Sequence, residues 1–174
     1  MKKILYLLRH AKSSWADAAS ADHQRPLNAR GREACRLLAR HMDGRGIRPA
    51  RVLCSSAART RETLQRIGAE MDWMPSVEFI DMLYLAPIRV VLREIAARGG
   101  SAPSLMVVGH NPGLEELAER LTGERLIELR TDMARKFPTG ALATLSFDIH
   151  DWREIAQGGG TLEHFVVPAQ LAVS

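Results

Sequence analysis

Cysteine is scarce in this sequence. Cys35 and Cys54 are the only two, with neither a paired spacing nor a metal-ligand pattern. Cys35 falls at an apolar helical position and Cys54 ends a predicted strand, so both read as buried thiols in a reducing cytosol. Long hydrophobic runs are also missing. After Met1-Lys2-Lys3 only five apolar residues, Ile4 to Leu8, precede Arg9, too few for the apolar region of a signal peptide and far too few for a membrane span. The expectation is a cytoplasmic protein with no membrane partner. There is no basic tract. The net charge is +4 and the pI about 9.5, with the arginines spread along the chain, which gives no footprint for nucleic acid but suits an anionic substrate. Aromatic residues are few, four Phe, two Tyr and three Trp, so the core is expected to be mostly aliphatic. Internal repeats and low-complexity linkers are absent.

What is present is the composition of a globular protein, 46% hydrophobic and 25% charged over 174 residues, the length of one ordinary domain covering residues 1–174. Short apolar runs alternate with helical patterns, the signature of an α/β fold on a mostly parallel central sheet flanked by helices on both faces. Strands are predicted at Lys2 to Leu8, Arg51 to Cys54, Val77 to Ile80, Leu105 to Val108, Ala141 to Phe147 and Phe165 to Val167. The first is almost continuously apolar, as expected of a strand covered on both sides. One helix is predicted from the N-cap Asn28 to the glycines at 44 and 46, with Ala34, Leu37, Leu38 and Met42 at helical spacing. Others run from Ala58 to Met71, from Pro87 through Val91, Leu92 and Ile95, and through Leu114, Leu117 and Leu121. The stretch Lys136 to Thr139 has no periodicity that assigns it, and Gly158-Gly159-Gly160 reads as a loop.

Three polar clusters follow predicted strands directly: Arg9-His10, Ser55 to Arg59, and His110-Asn111. In an open α/β sheet, ligands bind outside the carboxyl ends of the parallel strands. Each cluster alone is ordinary, since an Arg-His pair, an arginine on a first helical turn and a histidine before Asn-Pro-Gly all have bland uses. Their shared placement carries the argument. Arg9 and Arg59 each offer paired N–H donors to phosphate oxygens, and Ser55-Ser56 lead to a helix amino end suited to anions. His10 and His110 add two imidazoles, with no nearby carboxylate or thiol to complete a metal shell. This is a phosphate pocket containing a potential nucleophile. Two neighbouring arginines disfavour an imidazolium and keep His10 neutral for attack. Attack would yield a phosphohistidine, with the arginines and His110 stabilising the equatorial oxygens, and water would release phosphate. No metal or organic cofactor is needed for these steps.

These residues resemble the histidine phosphatase superfamily, which includes phosphoglycerate mutases and acid phosphatases. Its Arg-His pair at the end of the first strand is matched by Leu8-Arg9-His10-Ala11. The chain is similar in particular to the SixA-type branch, the phosphohistidine phosphatases. The matching segments are Arg9 to Lys12, the Asp-x-x-Arg-Pro-Leu of Asp22 to Leu27, Gly31-Arg32, the set Ser55, Arg59 and Thr63, Val107 to Pro112, and Phe137 to Ala141. The resemblance implies a phosphoglycerate mutase-like fold, His10 as the phosphorylated nucleophile, and Arg9, Arg59 and His110 as phosphate-binding residues.

Two departures stand out. Ser56 occupies a position where relatives commonly have proline. The connection after the third strand, Asp81 to Leu85, is short and lacks the glutamate proton donor that mutases carry in a long insertion. An ester needs an acid to expel its alkoxide, whereas phosphohistidine releases neutral imidazole once its other ring nitrogen is protonated. The expected substrate is therefore phosphohistidine on a signalling protein, with Asp81 the nearest candidate acid. Ser13 and Lys12 are candidate phosphate or substrate contacts. Asp22 and Arg25 are expected to brace the first loop as a pair, and His23, His41, His150 and His164 are read as structural or surface residues. A small-molecule phosphomonoesterase of the same superfamily and a non-catalytic phosphoprotein-binding module stay open as alternatives. A cysteine phosphatase does not, because four residues rather than five separate Cys54 from Arg59.

Overall fold

The computed structural model describes residues 1–123, 137–156 and 158–172. In chain order the elements are β1 (Lys2–Arg9), α1 (Ala29–Gly44), β2 (Arg51–Ser55), α2 (Ala58–Met71), β3 (Ser76–Ile80), α3 (Ile88–Arg98), β4 (Ser104–Gly109), α4 (Gly113–Thr122), β5 (Leu142–Asp148), β6 (Gly160–Val166) and α5 (Pro168–Leu171). Short 3-10 turns occupy Asp22–Gln24, Asp81–Leu83 and Trp152–Glu154. Asn28 caps α1 as its position suggests, its side chain accepting from the Gly31 N–H at 2.8 Å. Pro87 sits at the N-cap of α3, immediately before the first helical residue.

The six strands form one sheet in the order β3-β2-β4-β1-β5-β6. The β3–β2, β2–β4 and β4–β1 pairs are parallel, while β5 runs antiparallel to both β1 and β6. The mostly parallel sheet expected from the alternating pattern is thus the sheet observed. Successive residues of β1 point to opposite faces. Leu5 and Leu7 pack with Leu53, Leu105 and Val107 of the neighbouring strands against Val91 and Ile95 of α3 and Leu114 and Leu117 of α4. Leu8 packs with Val52, Cys54, Met106 and Val108 against Leu38 and Met42 of α1 and Leu64 and Ile67 of α2. Helices cover both faces, which is why β1, β2 and β4 read as unbroken apolar runs rather than alternating ones.

The last strand is longer than the sequence pattern suggested. It starts at Gly160 rather than Phe165, because the glycine run is partly a packing device. A Cβ at Gly160 would come within 2.7 Å of the Phe147 ring, so only glycine lets β6 pair with β5 there. Lys136 lies outside the described residues. Phe137, next in the stretch that no periodicity assigned, is buried and has its ring centroid 5.4 Å from that of Phe165. Both cysteines are buried and unpaired, and burial pushes the Cys54 thiol up to about 12. Among the described residues, no helix is long and apolar enough to cross a membrane.

The long first loop is fastened to α1 by a close backbone approach. A Cβ at Gly31 would sit 2.1 Å from the Lys12 carbonyl oxygen, so helix and loop can touch only where the side chain is a hydrogen. Gly31→Ala is expected to lower stability by about 1–3 kcal/mol through this overpacking, read as a reduced urea midpoint with an unchanged slope. An unchanged midpoint would show that the loop gives way without cost.

Candidate functional site

The carboxyl ends of β2, β4 and β1 lie side by side in register, with Leu8 opposite Val108, Cys54 opposite Val108, and Arg9 opposite Gly109. His10 follows β1 directly, its N–H donating to the Gly109 carbonyl at 3.1 Å. Gly140 clamps the same stretch from the β5 side, its N–H donating to the carbonyls of Arg9 and His10 at 3.1 and 3.0 Å. The imidazole is buried, with Nδ1 2.7 Å from the Ala11 carbonyl. A carbonyl can only accept, so Nδ1 carries the hydrogen and Nε2 presents a lone pair. The Arg59 Nε–H points at that nitrogen from 3.4 Å. Burial above all, then the guanidiniums of Arg59, Arg9 and Arg25, lowers the imidazole pKa from 6.5 to about 4 against the opposing pull of the Ala11 carbonyl. His10 is therefore neutral at pH 7.

Arg59 reaches this point from the first turn of α2. Its Nη1 donates to the Asp22 carbonyl at 2.8 Å and its Nη2 to Asp22 Oδ2 at 3.1 Å. The same carboxylate takes Arg25 Nε at 3.1 Å and the Tyr84 hydroxyl. The Tyr84 hydroxyl first, then Arg25 and Arg59, hold its carboxyl at about 2 against a modest desolvation, so Asp22 is ionised. Thr63, one turn beyond Arg59, accepts from the Ala11 N–H at 3.0 Å and donates to the Arg59 carbonyl at 2.7 Å. The Ser55, Arg59, Thr63 spacing is explained by these contacts: Thr63 ties the loop after His10 to the helix that carries Arg59.

Ser55, at the end of β2, holds the second imidazole, with its Oγ 2.7 Å from His110 Nε2. Ser55 Oγ also accepts from the Ala57 N–H at 3.4 Å. With the Ser55 hydroxyl donating to Nε2, the His110 hydrogen sits on Nδ1, the tautomer that leaves a donor for an anion. The rings of His10 and His110 lie 5.3 Å apart. Burial, then His10 and the arginines, lowers the His110 pKa to about 3, opposed by Asp22. The Phe137 carbonyl receives Arg9 Nη1 at 3.0 Å and Asn111 Nδ2 at 2.8 Å. Among the described residues, three buried polar side-chain atoms lack a hydrogen-bond partner: Arg9 Nε, His110 Nδ1 and Asn111 Oδ1. All three belong to residues lining one cavity of about 270 Å³, shared with His10 and Arg59. Orphaned buried polar atoms are costly, and these three belong to residues around a cavity rich in arginine. A larger hollow of about 720 Å³, lined by Arg32, Glu33, Arg36, Arg66 and Glu70, contains no histidine.

Arg9, His10, Arg59 and His110, which the sequence spreads over a hundred residues, are thus brought together. Ser13 also lines the cavity, with its hydroxyl accepting from Arg25 Nη1 at 2.8 Å. Lys12 lines it as well. Asp81 is not brought here: it is exposed at the start of its 3-10 turn and outside the cavity lining. The structure moves the carboxylate question from Asp81 to Asp22, whose bonds reach beyond the Arg25 brace expected of it. Ser55 and Ser56 serve the histidines rather than line the cavity, Ser56 Oγ lying 3.0 Å from His23 Nε2. Tyr84, Trp15 and Leu85 were missed by sequence reasoning. Nothing local marks Tyr84 or Leu85, but Trp15 lies in the polar loop after His10 and is a conspicuous aromatic there. Leu85 has a φ of +48°, a left-handed conformation that costs a leucine about 1 kcal/mol.

Comparison with known proteins places the fold among solved relatives. The model of the histidine phosphatase superfamily (branch 1) matches residues 5–83. A Nakamurella multipartitia structure, named after the phosphohistidine phosphatase SixA, superimposes with a TM-score of 0.82 at 31% identity, covering 97% of each chain. The protein histidine phosphatase SixA complexed with tungstate gives 0.76 at 26% identity, over 97% of this chain and 99% of the other. Phosphohistidine phosphatase SixA of Escherichia coli is 27% identical over 175 residues, 98% of this chain and 97% of its own.

The buried rings make stability acid-sensitive. The unfolded chain takes up protons on these histidines near pH 6.5, the folded chain only near about 4 and about 3. Stability is therefore complete above pH 6.5 and is lost as the pH falls from there toward 4. Asp22, lowered from 3.8 to about 2, extends the loss into stronger acid. Thermal melts across this range should show a flatter decline for the His10→Asn/His110→Asn variant than for the wild type; equal slopes would mean that these rings do not titrate as described.

Proposed function

This chain belongs to the histidine phosphatase superfamily, and on that premise we propose that it is a phosphatase with His10 as nucleophile and phosphohistidine on a protein as substrate. One observation carries the reading. His10 is a neutral imidazole whose proton is committed to the Ala11 carbonyl, leaving the Nε2 lone pair beside the guanidinium of Arg59. In the proposed reaction Nε2 attacks phosphorus and the bond from phosphorus to the leaving group breaks. Negative charge on the three remaining oxygens is met by Arg59 and by the unpartnered Arg9 Nε and His110 Nδ1. Water then attacks the phosphohistidine, its P–N bond breaks, and phosphate leaves with His10 restored. Ser13 and Lys12 extend the phosphate-binding lining, and the likeness to a tungstate-bound SixA supports an oxyanion in this cavity.

The choice of leaving group follows from the carboxylates. Asp22 is held ionised by Tyr84, Arg25 and Arg59, and Asp81 stands outside the cavity, so neither supplies a proton to a departing alkoxide. A phosphohistidine ring already protonated on its far nitrogen departs without that help. At about 270 Å³ the cavity has room for a phosphoryl group carried on a side chain of another protein. We propose the cytoplasm as its location, in keeping with the two unpaired buried thiols.

His10→Ala is expected to lower kcat toward phosphohistidine proteins by at least about a thousandfold, and the wild type should form an acid-labile 32P adduct that the variant lacks. Arg59→Ala is expected to cost about 10²–10³ in kcat, one oxyanion donor's worth, with Arg59→Lys recovering only part of it because the forked geometry is gone. Turnover is expected to persist with a chelator and to fall in acid with an apparent pKa near about 4. A His10→Ala enzyme of undiminished activity would overturn the mechanism. Faster clearance of sugar phosphates than of any phosphohistidine protein would overturn the substrate.

A further inference from the structure

The cavity has two exposed apolar side chains in its lining, Trp15 and Leu85, that the phosphoryl chemistry leaves unused. Trp15 lines it while remaining 76% exposed, and Leu85 lines it at 52% exposure. An indole is among the costliest side chains to leave in water, and this one is held in position. The Arg25 guanidinium carbon sits 3.5 Å from its ring centroid. That guanidinium is itself immobilised by Asp22, the Ser13 hydroxyl and the Ser14 carbonyl. The backbone beside Trp15 is pinned too, the Ser14 N–H donating to Pro26 at 2.8 Å and the Ala16 N–H to Ser14 Oγ at 3.1 Å. One face of the indole is therefore covered by a fixed cation and the other is open at the cavity mouth.

The cavity size limits what else it receives. At about 270 Å³ it is smaller than the roughly 300–1,000 Å³ of sites for drug-sized ligands. It takes a phosphoryl group and a small leaving group, and the rest of the substrate stays outside. We propose that Trp15, which shares the cavity lining with Leu85, is a specificity-determining residue whose open indole face stacks against a flat ring on the leaving group, the imidazole of a phosphohistidine. The inference rests on the phosphohistidine reading and adds a leaving-group subsite to it. Among the arginines of this cavity a ring protonated on its far nitrogen is repelled, and an indole face is the aromatic surface best suited to such a cation. Trp15 thereby selects a ring over ring-free P–N compounds, whereas Arg9, Arg59 and His110 act on the phosphoryl group common to both.

N-phosphoimidazole and phosphoramidate break the same kind of P–N bond and differ in the ring, so the ratio of their kcat/KM values reads the subsite directly. Trp15→Ala is expected to lower that ratio about tenfold, mainly through KM for N-phosphoimidazole. Trp15→Phe, which keeps a flat face, is expected to recover most of it. Inhibition by inorganic phosphate and the thermal midpoint of each variant report whether Arg25 and the loop stay in position. An unchanged ratio in Trp15→Ala would overturn the subsite, as would equal losses for both compounds accompanied by weaker phosphate inhibition. Failure of the wild type to turn over either P–N compound would be a different result, sinking the phosphohistidine reading itself before any Trp15 variant is made.

Discussion

Backbone hydrogen bonds hold β2, β4 and β1 side by side, parallel and in register, and the rest of the site depends on that pairing. Because the three strands end together, residues 10, 55 and 110 emerge at one edge of the sheet. A shift of one residue in any pair would turn a strand's side chains to the opposite face and take the following loop out of reach. The register is secured by burial on both faces. Leu5, Leu7 and Leu8 of β1 and Val107 and Val108 of β4 are nearly inaccessible to water, and a slip would move every one of them.

On that frame the site assembles an unfavourable cluster of like charge. Arg9, Arg25, Arg59 and Lys12 share the lining of one small cavity with two histidines. Two features make this tolerable. The imidazoles stay neutral, since burial and the guanidiniums both oppose their protonation. Asp22, ionised and bonded to Arg25 and Arg59, returns part of the balance. Under the proposed function a phosphoryl group would complete it, offering acceptors to Arg9 Nε and His110 Nδ1, which have no partner among the described residues.

The first loop illustrates how a segment without regular structure is made rigid. Its start is tied to α2 through Ala11 and Thr63, its two arms to each other through the antiparallel bridge of Ser13 and Leu27, and its carbonyl at Lys12 rests on Gly31 of α1. Leu27 N–H also donates to Glu62 of α2 at 2.8 Å. The loop can therefore carry Asp22, Arg25 and Trp15 as fixed groups. Loops held in this way commonly bear function on a stable scaffold.

The sequence by itself determined the alternation of strands and helices, the ends of α2, the cap at Asn28 and the four residues Arg9, His10, Arg59 and His110. These are written in local periodicity and in residue types that follow strands directly. It also carried Asp22 and Arg25, though only as a brace within the loop. Tertiary structure alone decided that Asp22 joins Arg59 and Tyr84, that Ser55 orients His110, and that Trp15 stands at the cavity mouth while Asp81 stays outside. The hydrogen-bonded pairs among them join residues 37 to 62 positions apart, set by strand order and loop path. No local pattern encodes distances of that kind, because they arise only when the sheet has brought its strand ends together.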